Sequence, residues 1–258
     1  DTLACIAPTF GAIMIEDIGA PLCFEVEEGL QKRLPIPVFH DDQHGTAIVI
    51  LAGLIRSLKM TGKKKEAVSV VINGAGSAGI AATKLLLHYG FKDIVLCDSK
   101  GALYRGRKDG MNPYKDAIAL VTNKRGEKGS LAEVMKGKDI FVGVSVAGVV
   151  TKDMVKSMAA RPIIFALANP VPEIWPDDAK AAGAAVALDG RMVNNALAFP
   201  GLLRGTLDAG ASRITTEMKC AAAETIASLA RKRDVVPDFM DPDVHKKVAK
   251  AVASAAAE

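Results

Sequence analysis

The chain has 258 residues, half of them apolar, and a net charge of +4, so one large or two small domains can bury a real core. Aromatic residues make up only 5%, too few for a base-stacking surface, and so small a net charge gives no reason to expect a nucleic-acid partner. No apolar run is long enough to cross a bilayer and residues 1–4 carry no export signal, so the expected setting is cytoplasmic, with no membrane partner. Cys5, Cys23, Cys97 and Cys220 form no CxxC pair and read as reduced core thiols.

Residues 12–15 and 36–39 read as two short strands, each followed by a pair of acids, Glu16-Asp17 and Asp41-Asp42. A helix is expected over 46–60, opened by Gly45-Thr46 and closed by Gly62, which leaves Asp41-Asp42-Gln43 as a loop. The run Lys63-Lys64-Lys65 reads as a solvated connection. Five apolar runs then alternate with helical stretches, at 68–72, 94–97, 140–144, 163–167 and 185–188. Alternation of this kind indicates βαβ units, and runs apolar at nearly every position indicate a parallel sheet covered on both faces. Two alanine-rich helical stretches, 211–233 and 243–257, end the chain. The expected fold is α/β, a Rossmann-like doubly wound parallel sheet with flanking helices. The expected partition is 1–62 carrying the acidic pairs, 63–205 forming the sheet domain, and a helical segment over 206–258.

The run Gly74-Ala75-Gly76-Ser77-Ala78-Gly79 joins the first of the five strands to a helix. A GxGxxG turn in that setting binds a dinucleotide: Gly74 permits the tight turn, Gly76 lets the pyrophosphate approach the backbone, and Gly79 lets helix and strand pack closely. Asp98 closes the second strand, 19 residues beyond Gly79, where a carboxylate accepts from a ribose hydroxyl. That acid favours NAD, but Ser99 and Lys100 could bind a 2′-phosphate, so NAD and NADP both stay open.

Glu16, Asp17, Asp41 and Asp42 offer the oxygen ligands that Mg²⁺ and Mn²⁺ prefer. Adjacent acids on a strand point apart, so one ion can use Glu16 and Asp17 only if the chain bends, as Gly19-Ala20-Pro21 allows. The alternative, helix caps at Asp41 and Asp42 with a solvated turn at Glu16-Asp17, stays open. His40 and His44 flank a loop instead of sharing a helix face, which argues for hydrogen-bonding roles over zinc. Asn169 and the pair Asn194-Asn195 offer neutral amides near these carboxylates, or simply form Asx turns.

Taken in order, Ala7-Pro8-Thr9-Phe10-Gly11 with Glu16-Asp17-Ile18, the string from Val38 through His40-Asp41-Asp42-Gln43-His44-Gly45-Thr46-Ala47, the glycine turn, Asp98-Ser99-Lys100-Gly101, 165–170 and 193–201 resemble the malic enzymes of the compact bacterial type. The resemblance implies oxidative decarboxylation of L-malate to pyruvate and CO₂, with NAD or NADP and with Mg²⁺ or Mn²⁺. It implies Glu16, Asp17 and Asp42 as metal ligands, Asp41 as an acid one layer out from the ion, and Asn169 and Asn195 at substrate or nicotinamide. Cofactor contacts would come from Gly74, Ala75, Gly76, Ser77, Ala78 and Gly79, with Asp98, Ser99, Lys100 and Asn169. The family's general base, a lysine, and general acid, a tyrosine, belong to an N-terminal domain that nothing here matches, and Lys84 and Tyr89 do not fill those roles. A homo-oligomer is implied as well. A malolactic-type reaction on the same fold, or a non-catalytic dinucleotide-binding module, are the competing expectations.

Overall fold

The computed structural model describes residues 1–232 and 234–257. It divides into two compact units, Asp1–Arg56 with Asn194–Glu258, and Ser57–Val193. In chain order come α1 (Thr2–Ile6), β1 (Ile13–Ile15), α2 (Leu22–Arg33), β2 (Val38–His40) and α3 (Asp41–Thr61). Next are β3 (Ser69–Asn73), α4 (Ser77–Tyr89), β4 (Asp93–Asp98), β5 (Gly101–Ala102), α5 (Pro113–Val121) and α6 (Leu131–Val134). The chain continues through β6 (Ile140–Gly143), α7 (Lys152–Lys156), β7 (Ile163–Ala166), α8 (Pro176–Ala181) and β8 (Val186–Asp189) to α9 (Phe199–Asp208), α10 (Thr216–Leu229) and α11 (Pro242–Ala255).

The Ser57–Val193 unit is built on a six-stranded sheet in the order β5-β4-β3-β6-β7-β8. Every neighbouring pair is parallel except β4 with β5. Strands β6, β7 and β8 are buried at every position, which is why they read as continuous apolar runs, and one face packs Val71, Val95, Phe141 and Ile164 into a single core. All five expected sheet strands form. The edge strand β5 was not expected: two residues are too short to carry a pattern, and what holds them is pairing of Cys97 with Ala102 and a bond from Ala102 N–H to Gly129 C=O. The strand order reverses between β3 and β6, where open α/β sheets place their ligands.

In the other unit β1 and β2 form a parallel pair, with Ala7, Ile15, Leu34 and Val38 packed together. Helices α9 and α11 cross closely because α9 presents Gly201 and Gly205. A Cβ at Gly201 would lie 2.7 Å from Val248, and one at Gly205 2.3 Å from the Ala249 carbonyl.

Four expectations need correction. Helix α3 starts at Asp41, so Asp41-Asp42-Gln43 is its first turn and not a loop. Carboxylates are favoured at a helix N-terminus, and Gly45 opens no helix: a Cβ there would fall 2.0 Å from Asp41 Oδ1, so glycine clears space for that carboxylate. Helix α10 starts at Thr216, because the Thr215 hydroxyl caps it by accepting from Met218 N–H (3.2 Å); Arg233, at the end of that expected stretch, lies outside the described residues. Two of the three consecutive lysines are engaged: Lys63 donates to Asp139 (2.6 Å), and Lys65 donates to the Tyr89 carbonyl (2.7 Å) and sits over the Tyr89 ring. The cysteines are all free thiols, but only Cys23 and Cys97 are buried, Cys5 being exposed and Cys220 half-buried.

Candidate functional site

The glycine turn follows β3 directly. Gly74 has φ +119° and a Cβ on it would meet the Val144 carbonyl at 2.4 Å, so conformation and space both demand glycine. A Cβ on Gly79 would fall 1.8 Å from the Gly74 carbonyl, so the turn packs flat on the first turn of α4. Gly76 differs, with nothing within 4 Å of its Cβ position. Protein packing makes no demand for glycine there, and the open space lies over backbone where no side chain caps α4. An uncapped helix N-terminus leaves N–H groups aimed outward, and these with the helix dipole suit an anion.

From Gly74 a groove of about 830 Å³ runs past Asp98, Ser99 and Lys100 to Ser145 and Val146. Asp98 does not stand free in it. Its Oδ2 accepts from Arg107 and from Lys115 Nζ (2.7 Å), and its Oδ1 from Lys100 N–H (2.9 Å). Burial acts to raise the Asp98 pKa, but Arg107, then Lys115 and the Lys100 N–H, outweigh it and hold the carboxyl below its ordinary range. The Lys100 ammonium is more than half exposed, 3.7 Å from Asp109. Neither Arg107, in a loop, nor Lys115, in the first turn of α5, is marked by the sequence as a partner of Asp98, since a cation's spacing in the chain does not say which acid it will meet.

Asn169 is exposed and lies past the end of β7, which stops at Ala166 instead of reaching the asparagine. Its Oδ1 would be 2.8 Å from a Cβ on Gly190. The strand stops early because the Ala168 N–H turns to the Glu173 carboxylate (3.0 Å).

In the other unit the two acidic pairs meet. Asp17 adopts φ +59°, which supplies the bend the sequence required, and its N–H donates to Asp42 Oδ2 at 2.8 Å. Asp41 is buried, and its Oδ2 accepts from Asn195 Nδ2. Its Oδ1 is buried with no hydrogen-bond partner. Burial, then the neighbouring charges of Asp42 and Glu16, push the Asp41 carboxyl up to about 6 against the opposing Asn195 bond. Asn194 accepts from Ala196 N–H (2.8 Å), so it does form the local turn that was one reading of this pair.

Behind the acids, His44 Nε2 lies 2.9 and 3.0 Å from the Glu27 carboxylate oxygens, and Lys219 Nζ lies 3.0 Å from His44 Nδ1. An ammonium only donates, so Nδ1 accepts and the Nε2–H donates to Glu27. Burial lowers the His44 pKa, keeping the ring neutral in this role, although Glu27 pulls the other way. Glu27 also accepts from His40 N–H (3.2 Å) and Gln43 Nε2 (3.0 Å), which ties α2 to the turn bearing Asp41 and Asp42. The expected hydrogen-bonding role holds for the His44 ring but not for His40, whose ring nitrogens are buried without partners, Nε2 lying 3.9 Å from Asp42. Glu27 was missed because one of three acids in an ordinary amphipathic helix carries no mark of burial.

Among the described residues no group of three or more His, Cys, Asp or Glu side chains converges closely enough to hold a metal ion. The chemistry at the acidic turn nevertheless suits a hard cation: the donors are carboxylate oxygens, the charges of Asp42 and Glu16 help raise the Asp41 pKa, and Asp41 Oδ1 is buried without a donor. Among the described residues no helix is long and apolar enough to cross a membrane.

A family profile described as "Malic enzyme, NAD binding domain" matches residues 43–193 and 184–258. The "Bifunctional malic/malolactic enzyme" of Bacillus subtilis (strain 168) is 55% identical over 264 residues, covering all of this chain and 64% of the relative. The "NADP-dependent malic enzyme" of Haemophilus influenzae is 47% identical, covering all of this chain and 37% of that protein. Among solved structures, the NAD-dependent malic enzyme of Thermotoga maritima superposes with a TM-score of 0.94 at 42% identity, over 98% of this chain and 69% of that one. The chain thus spans about two thirds or less of these proteins. Over that span, it belongs to the malic enzyme NAD-binding-domain family.

Proposed function

We propose that this chain is the dinucleotide- and metal-handling part of an enzyme that oxidatively decarboxylates L-malate to pyruvate and CO₂ while reducing NAD or NADP. Family membership carries this reading, and the bare backbone at Gly76 and the unpartnered Asp41 oxygen support it. Gly74 to Gly79 admit the pyrophosphate to the N–H groups of α4. Asp98 accepts from the adenosine ribose, and because Arg107 and Lys115 offset its charge, the same rim tolerates a 2′-phosphate, so either cofactor fits. Ser99 and Lys100 border that subsite. A nicotinamide bound there would supply an acceptor for the hydride of the substrate carbon that bears the hydroxyl.

Glu16, Asp17 and Asp42 would hold Mg²⁺ or Mn²⁺, with Asp41 behind them fixed by Asn195. Bound there, a divalent cation would supply positive charge to acidify a substrate hydroxyl and to offset negative oxygen as CO₂ leaves. Asn169 and Asn195 orient the substrate with neutral amides, adding no charge to compete with the carboxylates. Proton transfer at substrate oxygen and carbon falls to a lysine and a tyrosine supplied from outside these residues. The working enzyme is a cytoplasmic homo-oligomer on this reading, and exposed Leu3, Ile6, Phe10 and Leu22 offer apolar surface for further protein contacts.

The test is titration of the chain with NAD, NADP and Mn²⁺, followed by a malate assay after adding the N-terminal part of a related enzyme. Binding with pyruvate and reduced cofactor released is the expected result. Failure to bind either nucleotide would refute it. A malolactic reaction is the second reading, favoured by the name of the Bacillus relative; it predicts lactate with no reduced cofactor in solution.

A further inference from the structure

We propose that Glu173 is a positioning residue for the dinucleotide, holding the groove wall that follows β6 in its binding shape. The proposal rests on the nucleotide reading above. Glu173 has no exposed surface, a costly place for a carboxylate unless donors meet its oxygens. Oε1 accepts from the N–H (2.8 Å) and the hydroxyl (3.0 Å) of Ser145, and Oε2 accepts from Ala168 N–H (3.0 Å). Asn73 Nδ2 in turn donates to Ser145 Oγ (2.7 Å), so the single proton of that hydroxyl is directed to Glu173.

The carboxylate therefore joins the segments that leave β6 and β7 at their carboxyl ends, and Ser145 carries the joint on to Asn73 at the end of the adjacent strand β3. The joint straddles the point between β3 and β6 where strand order reverses and ligands bind. The Glu173 carbonyl also accepts from Val150 N–H (3.1 Å), fixing the far end of the loop that starts at Ser145. Ser145, Val146 and Val149 in that loop line the groove that also holds Gly74 and Asp98. Space has been cleared for the carboxylate: a Cβ on Gly143 would sit 2.4 Å from its carboxyl carbon. Two of its three bonds go to Ser145, a groove residue. A glutamine at 173 keeps the shape, but its NH₂ must face the Ser145 donors or the Ala168 N–H, so one end of the clamp opens.

The experiment follows NADH and NADPH binding by fluorescence for the wild-type chain, Glu173→Gln, Ser145→Ala and the double variant, with urea unfolding of each. Glu173→Gln is expected to raise the nucleotide Kd about tenfold or more and Ser145→Ala about threefold. The double variant should be no weaker than Glu173→Gln, since both changes break one clamp. Wild-type binding with an unchanged Kd in a folded Glu173→Gln chain would overturn the proposal even if its urea midpoint falls, because that is the mark of a purely structural role. Should Glu173→Gln not fold, Ser145→Ala decides, and an unchanged Kd there overturns the proposal equally. No binding by the wild-type chain would remove the nucleotide reading itself and this inference with it.

Discussion

Asp98 and Asp41 are the same side chain in opposite circumstances. Asp98, at the end of β4, is met by Arg107, Lys115 and a backbone N–H, and its carboxyl is held below the ordinary range. Asp41, at the start of α3, meets one neutral amide and two neighbouring acids, and is pushed up to about 6 after burial has already disfavoured its charge. Protein cations complete the first site, whereas at the second the neighbouring charges of Asp42 and Glu16 add to burial and, among the described residues, only the neutral Asn195 amide opposes them. A carboxylate already supplied with donors can shape a subsite, and one that lacks them is a place where a cation stabilises the fold it joins. The contrast shows that counting acids in a motif says less than asking what answers each one.

The largest effect that would break this contrast is at Asp42. In the full-length enzyme Asp42→Ala should abolish metal-dependent turnover, a loss of about a thousandfold or more; near-normal pyruvate production would end the ligand assignment. Glycine substitutions sharpen the nucleotide side. Gly76→Val should raise the NAD(P)H Kd about tenfold or more while leaving urea unfolding nearly unchanged, because its side chain enters space that no protein atom occupies. Gly79→Ala should instead show up first as lost stability, since its Cβ would strike the Gly74 carbonyl; equal effects of both substitutions on unfolding would contradict the distinction.

Smaller effects probe Asp98. Lys115→Met removes one of its two cations and should cost about 1–2 kcal/mol in urea unfolding near neutral pH, with Arg107 keeping the acid ionised. A loss indistinguishable from zero would mean that Arg107 alone suffices. The pH dependence has a fixed sign. The folded-state pKa of Asp98 lies below its ordinary value of 3.8, so its contribution is fully present above about pH 4 and is lost as pH falls through the lowered folded value. Asp98→Asn should flatten the decline in stability below pH 4, and an unaltered acid limb would remove Asp98 from the groups that drive it. Asp139, lowered by Lys63 and by Ser69 against its burial, follows the same rule and sets the background of that measurement.

Much of the architecture was legible in order along the chain. Five strands buried on both faces announce themselves because hardly any position needs to face water, and three glycines spaced between a strand and a helix mark a tight, close-packed turn by local spacing alone. The start of α3 was misread because Gly45 looked like a helix boundary. In the fold it is an interior helix residue, small because the Asp41 carboxylate lies against it. His40 and His44 looked equivalent in sequence, yet His44 reaches Glu27 and Lys219 while both ring nitrogens of His40 stay unpartnered.

The sequence by itself determined the sheet, the glycine turn and the family, because each rests on local periodicity or on residues close together in the chain. Only the tertiary structure decided which charges meet. Asn195 reaches Asp41 across 154 positions, Ser145 reaches Glu173 across 28, and Lys115 reaches Asp98 across 17. Spacing in the chain carries no information about such pairs, because strand order and helix packing set the distances that electrostatics and hydrogen bonding act upon.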